Sequence, residues 1–455
     1  MFAGIFFLTL KIKTNYLGMK YVIIGAGPCG LAMAKALDEA QISYDHIEAD
    51  DKVGGNWRRG VYKTVYTDTC KDVMQYPDFP MPDKFPDFLS QSNMLEYLDQ
   101  YATVFNLKEK IRFGIKVVWV EAIEENLWKV YFDKGEPEIY QGVIICNGHH
   151  WDKRYPNLPG AFAGEYMHAK EYKDPGQLKN KKVLIIGSGN SAADIACECA
   201  RVGELAVLNF TDSPWIFPKS IMGIPLGRMK IKNCPAFLNP FLIKLLLRIS
   251  FGKHSYYNLD NPQHKPFDKH PTVSEELPYY LKHGRIIVKK GIRDISNKKV
   301  CFADDSSCDF DLIVAATGYK LSFPFLPKSL TRTESQNLVC IGHCVYPDYK
   351  GLFFMGWQQV RGGVGSLASA FSKVIVDLIR IEEESGLPSG IILQAMNNKI
   401  SSTNLYASKE IYSWIKKHNY KSMAKVSKRM ENNSLHTNIP TQEIIPENIS
   451  SINVF

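Results

Sequence analysis

The sequence predicts an α/β protein of two doubly wound parallel-sheet units, the second inserted into the first, and three stretches carry that prediction. Tyr21-Val-Ile-Ile24 is a short apolar run that passes into Gly25-Ala26-Gly27-Pro28-Cys29-Gly30-Leu31. Such a run reads as a buried parallel strand, and the alanines at 32, 34 and 36 favour a helix packed closely behind the turn. Val183-Leu-Ile-Ile186 followed by Gly187-Ser188-Gly189-Asn190-Ser191-Ala-Ala-Asp194 repeats the pattern. Gly142 to Gly148, with V-I-I-C-N-G, reads as a strand returning to the first sheet.

Gly25, Gly27 and Gly30 fit G-x-G-x-x-G, which has a physical meaning. The first glycine allows the tight turn, the second lets backbone N–H groups approach a pyrophosphate, and the third lets helix and strand pack closely. The helix N-terminus adds partial positive charge for the phosphates. Glu48 closes a second candidate strand, Asp45-His46-Ile47-Glu48, near the spacing at which an acid accepts a ribose hydroxyl. The second unit has the G-x-G-x-x-A form. Two Rossmann-like dinucleotide-binding units in one chain imply two cofactors that meet for electron transfer.

With 455 residues, 45% hydrophobic and 22% charged, the chain has the composition of a multidomain α/β protein with a substantial core. A net charge of +8 without a basic block gives no reason to expect nucleic-acid binding. The ten cysteines are scattered; Cys146 and Cys340 sit in apolar runs, the pattern of reduced buried thiols in a cytoplasmic protein. No metal is expected, since His149-His150 and His264…His270 lack a carboxylate or cysteine set and read as solvated or hydrogen-bonded. Phe2 to Leu10 is too short for a membrane span, and its lysines follow rather than precede it. Residues 1–18 therefore read as an extension outside the fold, with a weak membrane anchor as the other reading.

Taken in order, residues 19–150 form the first part of one unit. Val53-Gly54-Gly55-Asn56-Trp57-Arg58 follows Glu48, Pro77 to Pro86 is a proline-dense rigid loop, and Ser92 or Asn93 caps a helix through Tyr101. Strands follow at 115–120, 127–132 and 142–146. Residues 151–330 hold a linker (152–180), the second unit, and a segment at about 215–282 where the pattern lapses. In that segment Phe237 to Ile249 is apolar and reads as a packed helix, with a lid or a shallow membrane contact as alternatives. Residues 331–423 return to the first unit with a long helix to about Glu384 and another from Ile391 to Lys416. The tail 424–455 lacks an apolar period and reads as disordered.

These features together resemble the class B flavin-dependent monooxygenases, in particular the flavin-containing monooxygenases. The most specific match is F-x-G-x-x-x-H-x-x-x-Y at Phe162, Gly164, His168 and Tyr172. The closing tyrosine matches the branch that oxygenates nitrogen and sulfur; Baeyer–Villiger relatives end the motif in tryptophan. G-G-x-W (Gly54, Gly55, Trp57) and A-T-G-Y (Ala316 to Tyr319) also match.

The resemblance implies FAD on Gly25, Ala26, Gly27, Pro28, Cys29, Gly30 and Glu48, with Gly55, Asn56, Trp57, Thr67, Asp68, Thr69, Thr317, Gly318 and Gln358 beside it. It implies NADPH, with NADH possible, on Gly187, Ser188, Gly189, Asn190 and Ser191. Gly362-Gly363 before the long helix would aim N–H groups at the flavin edge. His168 and Tyr172 would couple the two units. The implied reaction uses NADPH and O2 to form a C4a-peroxyflavin that oxygenates a small amine or sulfide; a homodimer is compatible with it.

Two departures stand out. Asp68 occupies the position where relatives carry an asparagine that hydrogen-bonds the peroxide region. A carboxylate lacks that donor unless protonated, and Lys71 nearby is expected to hold it ionised, so that Asp68 and Lys71 are the candidate catalytic pair. Thr211 stands where an arginine often meets the 2′-phosphate, leaving Lys219 or Arg228 as substitutes. An NAD(P)H oxidase that releases hydrogen peroxide is therefore the rival reading, and a non-catalytic flavoprotein sensor a third.

Overall fold

The computed structural model describes residues 19–434 apart from 124–125, 230–238, 335–336, 361–362, 399–400, 403–405 and 408. The extension at 1–18, Gly362 and the tail beyond Ser434 lie outside the described residues. Strand β1 (Tyr21–Ile24) leads through helix α1 (Pro28–Ala40) to β2 (Tyr44–Glu48), and α2 (Gln91–Val104) leads to β3 (Ile111–Phe113). After a three-stranded antiparallel excursion over 117–140 the chain re-enters the sheet as β4 (Gly142–Ile145).

The chain then crosses to a second sheet: β5 (Glu165–His168), β6 (Lys182–Ile186), α3 (Asn190–Val202), β7 (Leu205–Asn209), α4 (Asn239–Phe251), β8 (Ile286–Lys289) and β9 (Leu312–Ala315). It returns as β10 (Leu352–Phe354), α5 (Val364–Ser385), α6 (Lys409–Lys417) and α7 (Tyr420–Ser434).

Both sheets are parallel throughout, in the orders β10-β4-β1-β2-β3 and β5-β9-β6-β7-β8. Their apolar runs are buried on both faces, as the sequence predicts. Tyr21, Ile23, Ile144 and Phe353 face α1 and α5, while Val22, Ile24, Val143 and Ile145 face the antiparallel excursion. Val183 and Ile185 likewise face α3, and Leu184 and Ile186 the opposite side. The two crossings between the sheets are laced together: Asp152–Lys153 pairs antiparallel with Tyr319–Lys320, and the Arg154 guanidinium donates to the Thr317 carbonyl at 2.8 Å.

The structure corrects the sequence reading at four places. The cap of α2 is Ser90, whose hydroxyl accepts from the Asn93 backbone N–H while Asn93 reaches back. The stretch expected to be a linker supplies β5, an edge strand of the second sheet. The helix expected from Ile391 to Lys416 is broken: one helix ends at Ala395, Asn397 takes a left-handed φ of 65°, and α6 starts at Lys409. The tail from Ala424, read as disordered, continues α7 to Ser434. Met423 is fully buried against the first core, an anchor too sparse to give a sustained period.

Helix α4, in the segment where the pattern lapses, turns Ile243, Leu246 and Leu247 into a cavity and leaves Phe241, Leu245 and Ile249 outside. Only Leu247 of its described side chains is buried, so the helix packs along one edge of the cavity wall. No described helix is long and apolar enough to cross a membrane.

Candidate active site

A cavity of about 2220 Å³ lies at the carboxyl ends of the strands of both sheets, where parallel α/β sheets bind ligands. Its volume is at least twice that of an ordinary small-molecule pocket. Each sheet contributes a glycine-rich turn, and the glycines in the turns divide into two kinds. An added Cβ on Gly30 would stand 1.8 Å from the Gly25 carbonyl oxygen, and one on Gly187 2.2 Å from the Ala316 oxygen. Those two are required by the protein's own packing.

Gly27 and Gly189 are different. Both precede a helix with ordinary φ values of −75° and −85°. A Cβ on Gly27 would meet only Gly55 Cα, at 3.6 Å, and one on Gly189 would meet nothing. The fold itself tolerates a Cβ at both positions, so what requires glycine there is the close approach of a ligand to each helix N-terminus. Three buried polar atoms of residues along the same cavity have no hydrogen-bond partner among the described residues: Asn147 Oδ1, His149 Nε2 and Trp151 Nε1. Glu48 is buried at the end of β2; its carboxylate accepts the N–H groups of Ala26 at 2.5 Å and Asp50 at 2.8 Å. Burial raises its pKa. Each oxygen keeps a lone pair for a ribose hydroxyl. The residues present thus fit two dinucleotides, FAD and a pyridine nucleotide.

Where the two turns face each other, the structure gathers a half-buried acid cluster on the cavity wall. Asp68 Oδ2 accepts from the side-chain amide of Asn190, the first residue of α3, and Asn190 Oδ1 in turn accepts from the Val273 N–H at 2.7 Å. Tyr62 donates to Asp194 Oδ2 at 2.5 Å, and its ring lies 5.6 Å from that of Tyr172. Burial, with Asp194 adding repulsion, pushes the Asp68 carboxyl up to about 7, while Lys219 and the Asn190 bond pull it down. Burial likewise raises Asp194, to about 6. The Lys219 ammonium is held 5.4 Å from the Phe88 ring centre and 5.9 Å from that of Tyr66.

This geometry has a counterpart among known proteins. The family described as FMO-like, flavin-binding monooxygenase-like, matches residues 18–434. The chain belongs to the flavin-binding monooxygenase-like family. It is 30% identical over 358 residues to flavin-containing monooxygenase 5 of Oryctolagus cuniculus, covering 72% of this chain and 67% of that one. Dimethylaniline monooxygenase (N-oxide-forming) 2 of Mus musculus is 31% identical over the same shares. The solved structure of the S-allyl-L-cysteine S-oxygenase of Allium sativum shares the fold, with a TM-score of 0.62 at 19% identity over 92% of this chain and 94% of that one. Membership carries the activity class: an FAD-dependent, NADPH-driven monooxygenase that uses O2 on a small molecule.

Against that family frame, the structure of this flavin-binding monooxygenase-like chain brings most of the expected residues to one cavity. Gly25, Gly27, Pro28, Cys29, Glu48, Gly55, Asn56, Trp57, Thr67, Asp68, Thr69, the run Gly187 to Ser191, Thr317, Gly318 and Gln358 all line it. Ala26 and Gly30 pack behind the turn. His168 lines the cavity, with its Nε2 2.9 Å from the Gly318 oxygen, whereas Tyr172 is buried in the second core and donates to Glu198. Phe162 packs in the second core's far side, and a Cβ on Gly164 would run 2.5 Å from the Phe162 ring. At Gly363 an added Cβ would stand 1.8 Å from the Val73 oxygen, so close packing accounts for that glycine.

Lys71 is a correction. It was expected beside Asp68, but its ammonium donates to the carbonyls of Phe85 at 2.8 Å, Asp83 at 3.2 Å and Pro82 at 3.3 Å, and it does not line the cavity. The short helix Lys71–Met74 turns it toward the proline-rich loop. Lys71→Met is therefore expected to loosen that loop, lowering stability by about 1.5–3 kcal/mol for bonds to a charged donor. Flavin content should stay intact; a thermal melt read at the flavin band checks both.

Arg228 is also spoken for. It pairs with Asp72 at 2.6 Å and with Asp87 at 3.0 Å. The histidine pair, read as solvated or hydrogen-bonded, is half-buried in the cavity wall: His149 Nδ1 lies 3.2 Å from the Gly356 oxygen, and desolvation lowers the pKa of both histidines. Sequence reasoning missed Tyr62, Asn147 and Trp151, none of which belongs to a motif.

Proposed function

We propose that FAD lies along the first sheet on the α1 turn, that the pyridine nucleotide lies along the second on the α3 turn, and that Asp68 holds a proton at the seam between them. The observation that carries this reading is the pair of middle glycines, Gly27 and Gly189, each facing space the protein does not fill. On this reading residues 19–150 and 331–423 serve the flavin and residues 151–330 the nucleotide.

FAD supplies electron acceptance and oxygen activation when bound. The chain's own residues do the rest. The N–H groups at the starts of α1 and α3 bind the two pyrophosphates. Glu48 orients a ribose. Asn147, His149 and Trp151 offer unpaired polar atoms to groups held between the sheets. The apolar inner face of α4 keeps water from the reacting centre. Asp68, neutral below about pH 7, donates a hydrogen bond there, and as a carboxylate it repels a developing anion.

The substrate is a small amine or sulfide, and the protein acts in the cytoplasm, as a monomer or a homodimer. The rival reading, a chain that spends NADPH to release hydrogen peroxide, is favoured by one observation, the carboxylate at Asp68. The deciding experiment is Gly189→Val. Flavin reduction by NADPH in a stopped-flow mixing experiment should slow by an order of magnitude or more, while bound FAD stays at the wild-type level. Parallel loss of FAD would mean that the two turns are wrongly assigned.

A further inference from the structure

The two Rossmann-like units can be laid on each other by register, and they differ at one place that faces ligand. In the first, the Gly25 N–H donates to the Ile47 carbonyl, and the next residue is Glu48. In the second, the Gly187 N–H donates to the Asn209 carbonyl at the same 2.8 Å, so the residue in the Glu48 position is Phe210, buried in the second core. The ribose-facing edge is therefore made by the residues that follow, Thr211 and Asp212, both of which line the cavity.

Six described basic residues, arginine or lysine, line the cavity: Arg59, Lys116, Arg154, Lys170, Lys219 and Lys269. Arg59 pairs with Asp50, Arg154 donates to Thr317, Lys170 to the Trp151 carbonyl, and Lys219 lies over Phe88 beside the acid cluster. Lys116 follows β3 on the first sheet. Lys269 alone of these reaches the edge in question: it arrives on the segment between α4 and β8 and pairs with Asp212 at 3.1 Å, with 60% and 67% of the two side chains exposed.

An acid at this edge hydrogen-bonds the 2′-hydroxyl of an unphosphorylated ribose, whereas a cation meets a 2′-phosphate. Here both are present and neutralise each other. We propose that the Asp212–Lys269 pair sets the pyridine-nucleotide specificity: Asp212 accepts the 2′-hydroxyl of NADH, Lys269 turns from Asp212 to the 2′-phosphate of NADPH, and the protein takes both nucleotides with little discrimination. The inference rests on the assignment of the nucleotide to the second sheet. It adds to that assignment which residues read the ribose.

The test uses the FAD-loaded protein and two readouts, calorimetric binding of NADP+ and NAD+ and the flavin reduction rate with NADPH and NADH. Wild type should discriminate by less than about tenfold, below the range of a full phosphate–arginine pair. Lys269→Met should weaken NADP+ binding roughly tenfold or more and leave NAD+ within about twofold. Asp212→Asn should do the reverse, tightening NADP+ several-fold and weakening NAD+. Both side chains are exposed, so neither substitution threatens the fold. An unchanged nucleotide ratio in both variants overturns the inference while leaving the assignment standing. Failure of one nucleotide alone overturns the inference and leaves the assignment standing; failure of both to bind or reduce wild type overturns both.

Discussion

Gly27→Val protein is expected to fold and to purify colourless. The argument is one of subtraction. Valine's backbone is compatible with a φ of −75°, and a Cβ there meets only Gly55 Cα at an ordinary 3.6 Å. Valine is a poorer N-cap than glycine by about 1 kcal/mol, too little to unfold the chain. What valine does occupy is the volume in front of the α1 N–H groups, where a pyrophosphate needs direct backbone approach. FAD content, read from the visible absorbance per mole of protein, should fall at least tenfold, while the far-ultraviolet circular dichroism stays at the wild-type value. Gly30→Ala supplies the contrast. Its Cβ would collide with the Gly25 oxygen at 1.8 Å, so that variant should lose fold and flavin together. A fully yellow Gly27→Val protein would remove the first sheet as the flavin site.

The second expected result concerns pH. With its carboxyl pushed up to about 7, Asp68 passes from about one-tenth ionised at pH 6 to about nine-tenths at pH 8. Its neutral form donates a hydrogen bond; its carboxylate cannot, and in a dry site like charge costs far more than in water. Hydrogen peroxide released per NADPH consumed should therefore rise several-fold across that interval in wild type. Asp68→Asn keeps a donor at every pH and should give low, flat leakage. Stability gives an independent readout. Because the folded-state pKa is raised, the stabilisation from this group is complete only below the ordinary aspartate range and is lost as pH rises through about 7. The melting advantage of Asp68→Asn over wild type should thus widen from pH 4 to pH 8. Leakage that is flat in wild type and unchanged in the variant would exclude Asp68 from the seam chemistry.

How far the sequence carries depends on how local the physics is. Strand, glycine turn and helix are contiguous, so both dinucleotide units, their parallel strands and the returning strand β4 are readable from residue order. Asp68 is readable for the same reason, through its spacing from the glycine pair and the proline-rich loop. Its partners are not. Tyr62, Asn190, Asp194 and Lys219 come from three separate stretches that meet only when the sheets face each other, whereas Lys71, three residues away, is turned aside by one short helical turn. Likewise α7 is held by contacts of Met423 with the first core rather than by any periodicity of its own. Thr211 was visible as an anomaly, but Lys269, which answers it, lies on a segment with no motif.

The lacing of Asp152–Lys153 to Tyr319–Lys320 has a mechanical consequence. An inserted unit is tethered to its host twice. When the two tethers are hydrogen-bonded side by side, with Arg154 clamping the Thr317 carbonyl, they act as one ribbon rather than two independent strings. A ribbon resists stretching and shear in its own plane but bends readily out of it. Loosening one tether therefore loosens the other, so the two crossings respond to load as a single element.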